Sequence, residues 1–167
     1  GLRRIRFTSG HPSGCTRELC RAMSEIRPLC PHLHLPLQSG SDAILARMNR
    51  GYTAAEYRDA VARLRAAVPG IALTTDIIVG FPGETEAQFL ETRSLMDEIR
   101  FDNAFIFKYS PRPGTPAAAF PDDVPEQEKL RRNHCLLEDQ DRWCLDINEK
   151  LIGQTLPVLV EGRSKSN

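Results

Sequence analysis

The chain has 167 residues, 22 Lys+Arg against 22 Asp+Glu, and 41% hydrophobic residues, the profile of one ordinary soluble domain plus a short appendage. No apolar run approaches the roughly 20 residues a membrane-spanning helix needs, and no charged-then-apolar leader opens the sequence, so neither a membrane span nor a secretory signal is expected. Neutral charge leaves no electrostatic footprint for nucleic acid, and five cysteines, an odd number, read as the reduced thiols of a cytoplasmic protein.

Residues 4–8 (RIRFT) read as a first strand. Helical period follows over 16–26, a second strand over 32–38 (HLHLPLQ), and a short helix over 41–48. The next helix, 54–68, opens with the capping box Thr53-Ala-Ala-Glu56, in which hydroxyl and N3 side chain satisfy orphan amides reciprocally. A third strand spans 71–80 (IALTTDIIVG), and a helix over 86–99 opens with a second capping box, Thr85-Glu-Ala-Gln88. The fourth strand is 103–109 (NAFIFKY), followed by a long charged helix from about 125 to 150, with Asp123 as its cap and Gly153 just past its end. The final run, 155–160 (TLPVLV), reads as a strand that begins a second domain. Strand and helix alternate at the spacing of βαβ units, which predicts an α/β fold with a parallel sheet. The first strand starts almost at residue 1 and the last has too little after it to pair, so a fragment of a longer enzyme is expected.

Sites in parallel α/β folds form at the C-terminal ends of the strands. Those positions hold residues 8–12 (TSGHP), 38–42 (QSGSD), 80–84 (GFPGE) and 110–115 (SPRPGT), all small, polar and glycine-bearing. Alternation places Arg4, Arg6 and Thr8 on one face, His32, His34 and Gln38 on another, and Thr74, Asp76, Ile78 and Gly80 on a third. The opposite faces, Leu33, Leu35, Leu37 and Leu73, Ile77, Val79, should meet the helices. Polar residues where a parallel sheet normally carries Val, Ile and Leu suggest a lumen that holds a polar ligand. Asp76 reads equally as an ion-pair partner of Arg6 or a histidine, and Gly80 and Gly83 as parts of a plain turn. Cys30, His32 and His34 share a strand face but lack the ligand number and spacing of a zinc site. Cys135 and Cys144 fall on opposite sides of one helix.

Residues 4–12 (RIRFTSGHP), 35–42 (LPLQSGSD), 76–85 (DIIVGFPGET) and 109–116 (YSPRPGTP) together resemble the radical SAM methylthiotransferases. The resemblance covers essentially the whole chain; residues 156–165 (LPVLVEGRSK) are similar to the opening of the RNA-binding TRAM domain. It implies residues 1–152 as the C-terminal portion of a radical SAM core, a partial (β/α)6 TIM-like barrel, and residues 153–167 as the start of a TRAM domain. The His-Pro after the first strand and the Gln-Ser-Gly-Ser-Asp after the second favour the branch that modifies isopentenylated adenosine beside the tRNA anticodon. The branch that modifies a ribosomal protein and a non-catalytic RNA-binding module are the alternatives.

The resemblance further implies S-adenosyl-L-methionine and two [4Fe-4S] clusters as cofactors, and tRNA as partner, with neither a membrane nor DNA. Gln38 and Ser39 fall near its ribose and methionine, and Asp76, Gly80 and Glu84 in the glycine motif near its adenine. Ser9 and Arg112 are expected to contact substrate at the barrel mouth. The family's Cys-x-x-x-Cys-x-x-Cys spacing is absent from Cys15, Cys20, Cys30, Cys135 and Cys144, so no metal ligand is assigned and the segment alone is expected to be inactive.

Overall fold

The computed structural model describes residues 1–7, 10–160 and 162–163. Its elements are α1 (Arg17–Glu25), β1 (His32–His34), α2 (Asp42–Arg47), α3 (Ala54–Ala67), β2 (Ala72–Val79), α4 (Glu86–Ile99), β3 (Asn103–Lys108) and α5 (Glu126–Glu149). The three strands form a parallel sheet in the order β1-β2-β3, as the βα alternation predicts. Leu33, Leu73, Ile77 and Val79 point into a core shared with Tyr57, Val61 and Leu64 of α3, Phe89 and Met96 of α4, and Leu136 and Trp143 of α5. No helix among the described residues is long and apolar enough to cross a membrane.

Both predicted capping boxes form. Thr53 accepts from the Glu56 amide at 3.2 Å while Glu56 accepts from the Thr53 amide at 2.8 Å, and Thr85 and Gln88 reciprocate at 3.3 and 2.9 Å. Thr53→Ala is expected to cost about 1 kcal/mol of stability, read as a lower urea midpoint with unchanged slope; an unshifted midpoint would show the box to be dispensable.

Four expectations need correction. The first strand is reduced to one parallel bridge, Ile5 with Leu29, held by the Ile5 amide on the Pro28 carbonyl and the Cys30 amide on the Ile5 carbonyl; its end at Thr8 lies outside the described residues. The second strand is regular only to His34. Beyond it Pro36 has no amide to donate, and the register moves from His34↔Thr74 to Gln38↔Ile77, four steps against three. That extra residue is a bulge, with Gln38 at φ 70, and it puts Gln38 in register with Ile77 of the helix-covered set rather than on the His32 and His34 face. Tyr57 and Tyr52 then donate to the Leu35 and Leu37 carbonyls at 2.6 and 2.9 Å, replacing lost ladder bonds.

The third correction concerns α5. Pro125, not Asp123, stands at its N-cap, because the Asp123 carboxylate is engaged by the Gly83 amide at 2.6 Å. Fourth, residues 155–160 form no strand. Leu156, Val158 and Val160 are exposed, and without a pairing partner a β-prone run has no ladder to join.

Candidate functional site on the open sheet face

The helices cover one face of the sheet. The other presents His32 and His34 from β1, Thr74, Asp76 and Ile78 from β2, and Phe105 and Phe107 from β3, none of them buried. Register aligns His34 with Thr74, Asp76 with Phe105, and Ile78 with Phe107, so imidazole, carboxylate and phenyl groups form adjoining rows. Phe105 and Phe107 are 49% and 53% exposed, whereas parallel sheets are ordinarily covered on both sides. The sequence reading missed these two rings, although alternation along residues 103–108 puts them on one face.

A hydrogen-bonded row crosses this face. His32 Nε2 lies 3.3 Å from Thr74 Oγ1, Thr74 Oγ1 lies 3.0 Å from His34 Nδ1, and His34 Nε2 lies 3.3 Å from Asp76 Oδ2. Burial, then the Arg6 and His34 charges, push the His32 pKa below its ordinary value. The His34 ring also meets Phe105 edge-on, with centroids 6.0 Å apart. Of the two readings the sequence left open for Asp76, the histidine contact forms, yet its side chain stays 30% exposed.

The other predicted contacts are distributed around this face. Gly80 follows β2 at φ 69, and its amide donates to Glu84 Oε2 at 2.7 Å. Glu84 has a fully buried side chain paired with Arg132 of α5 at 2.7 Å. Burial pushes its carboxyl above the usual range, against the opposing pull of the Gly80 amide and Arg132. Lys129 runs over Gly80, where a Cβ would meet its Cγ at 2.3 Å, and its Nζ grips both Asp122 oxygens at 2.6 Å. The turn after β2 is therefore closed by α5, a role with no local sign in the residues of either segment.

Ser39 is wholly buried, its hydroxyl 3.2 Å from Thr92 of α4 and accepting from the Ser41 amide. Gly40 packs so closely that a Cβ would lie 2.6 Å from Thr92 Cα. Gln38 is 6% exposed in the bulge. Arg112 is exposed in the loop after β3, where its carbonyl accepts from Thr115. Ser9 lies outside the described residues. Thus Asp76 stands on the open face, Gly80 at its C-terminal margin, and the Ser39 hydroxyl and Glu84 Oε2 are engaged with α4 and α5.

The thiols serve the packing. Cys15 donates toward the Ala60 carbonyl at 3.9 Å, and burial followed by its neighbour Cys20 pushes it up to about 12. Cys144 donates to the Asp102 carbonyl at 3.1 Å. Among the described residues, no three His, Cys, Asp or Glu side chains are grouped closely enough to hold a metal ion.

The profile of the Radical SAM superfamily matches residues 1–96. The chain is 52% identical over 166 residues to a tRNA-2-methylthio-N(6)-dimethylallyladenosine synthase of Methylacidiphilum infernorum, covering 99% of this chain and 36% of that protein. Proteins of the same description from Acetivibrio thermocellus and Desulfosudis oleivorans are 51% and 53% identical over the whole chain. The chain spans little more than a third of the length of these curated relatives. Among solved structures, coproporphyrinogen III oxidase HemN of Escherichia coli, a radical SAM enzyme, superposes with a TM-score of 0.69 at 17% identity, covering 84% of this chain and 32% of HemN; that likeness speaks to the fold. The chain belongs to the radical SAM superfamily.

Proposed function

We propose that this chain is the C-terminal part of the catalytic core of a tRNA methylthiotransferase that adds a methylthio group to isopentenylated adenosine beside the anticodon, in the cytoplasm. Identity above 50% across the chain to proteins of that description carries the reading. S-adenosyl-L-methionine fits the open face: Asp76 offers a carboxylate acceptor for ribose hydroxyls, and Ile78 with the two phenyl rings offers an apolar bed for a purine. When bound, the cofactor supplies the radical chemistry that an unactivated aromatic C–H demands. The chain's own part is to hold that group in line with the target base and exclude water.

Gln38 and Ser39 act from the bulge by fixing the backbone beside the methionine end, and Gly80 and Glu84 by shaping the turn at the adenine end. Arg112, exposed in the loop after β3, contacts a phosphate or base of a nucleotide splayed from the RNA stack, with Ser9 as the second substrate contact expected from the sequence. Two [4Fe-4S] clusters, held by cysteines beyond this segment, complete the reaction's needs; a site-differentiated cluster takes three closely grouped thiolates. Residues 153–167 start a TRAM domain, whose remaining strands would cover the exposed Val158 and Val160.

The test is anaerobic incubation of the enzyme carrying this segment with S-adenosyl-L-methionine, reductant and tRNA containing isopentenylated adenosine. A methylthio nucleoside in the digest, with 5′-deoxyadenosine, is expected. Modification of a ribosomal protein instead would replace the tRNA reading. The segment alone, reconstituted with iron and sulfide, is expected to hold no stoichiometric cluster.

A further inference from the structure

A carboxylate that is to accept from a ligand hydroxyl must keep an oxygen free and point it steadily, and a part-exposed aspartate on a strand does neither by itself. Asp76 is held at Oδ2 by His34 Nε2, while among the described residues its Oδ1 accepts no hydrogen bond. A carboxylate can only accept, so Nε2 of His34 carries the proton in this contact, whatever the charge of the ring. The ring is fixed at its far side as well: Nδ1 meets the Thr74 hydroxyl, which in turn meets His32 Nε2, and the Phe105 ring stands against its plane. One hydroxyl between two ring nitrogens can donate to one and accept from the other, so Thr74 links the two imidazoles into one row that ends on Asp76 Oδ2.

We infer that His34 is a positioning residue: anchored through Thr74 and His32, it donates Nε2–H to Asp76 and leaves the second carboxylate oxygen as the acceptor for a ribose hydroxyl of the bound adenosyl cofactor. This rests on the reading of the open face as the cofactor face. It assigns work to the two histidines of the HLH stretch, which zinc geometry does not explain and which a purely packed sheet does not require.

The enzyme carrying this segment is titrated with S-adenosyl-L-methionine by equilibrium dialysis. His34→Phe keeps the ring volume but removes the donor, and is expected to weaken binding roughly tenfold, the loss of one charge-assisted hydrogen bond. His34→Gln places an amide N–H near the old Nε2 and should bind close to wild type. Adding His34→Phe to Asp76→Ala should weaken binding no further than Asp76→Ala alone. Independently of the cofactor, a long-range proton–nitrogen NMR spectrum should show His34 protonated at Nε2, with that resonance moving on Asp76→Ala. Wild-type affinity in His34→Phe alongside weak binding in Asp76→Ala overturns the positioning role, as does an Nε2 without a proton. Wild-type affinity in Asp76→Ala overturns the cofactor reading itself. If His34→Phe fails to fold, Thr74→Val, which unties the ring from its anchor, carries the same comparison.

Discussion

Arg132→Met is expected to lower the stability of the folded core by about 3–5 kcal/mol, the cost of stranding a buried charge. Its guanidinium donates to the Glu84 carboxylate at 2.7 Å, to the Glu84 carbonyl at 2.9 Å, and to Glu128 at 2.8 Å. Glu84 has no solvent to turn to, and its Oε1 is already without a partner among the described residues. Without the arginine it must either take up a proton or remain ionised in the dry interior, and both routes cost free energy. The melting temperature should fall on the order of 10 °C. The double variant Glu84→Leu/Arg132→Met should regain most of the loss, because a buried pair exchanged for apolar groups of similar volume is often neutral. Calorimetry that finds the single and double variants equally destabilised would mean that shape, not charge, holds this junction.

Asp76→Ala is expected to weaken S-adenosyl-L-methionine binding by about 10- to 100-fold, the range for hydrogen bonds to a charged group, while shifting the melting temperature little. The two halves of that expectation have different origins. On the proposed reading binding depends on the Asp76 acceptor, whereas stability depends on the Asp76–His34 contact, long at 3.3 Å and part-exposed, a class worth under about 1 kcal/mol. Affinity and melting temperature falling together would instead assign Asp76 to the framework.

What the sequence made legible was local. The capping boxes of α3 and α4, the apolar alternation of β2, and the glycine turn after it are all written within a few residues, and each appears where expected. Asp76, His32, His34 and Thr74 were also readable as a polar strand face. The rest depends on partners far along the chain. The bulge at Gln38 follows from a proline together with tyrosines 52 and 57, which take over the carbonyls of 35 and 37. Lys129, Arg132 and Asp139 belong to the long charged helix α5, yet all three are buried, because their partners Asp122, Glu84 and Arg93 come from other segments. Asp139 shows the balance: burial alone would raise it, but Arg93 and Arg142 outweigh that and hold it below the ordinary carboxylate range.

The clasp between Glu84 and Arg132 also sets a timetable for the growing polypeptide. The two residues are separated by 48 positions, and at about 5–20 residues per second the ribosome adds the arginine roughly 2 to 10 s after the glutamate. During that interval the turn after β2 has its carboxylate but not its counter-charge, and Gly80 lacks the lysine that roofs it. The margin of the open sheet face therefore cannot take its final shape while the chain is being extended through β3; it is completed only when α5 leaves the exit tunnel and folds back. Pausing or truncation inside α5 would leave a chain with both β2 and β3 synthesised and the junction between them and the helix layer still open to chaperones and proteases.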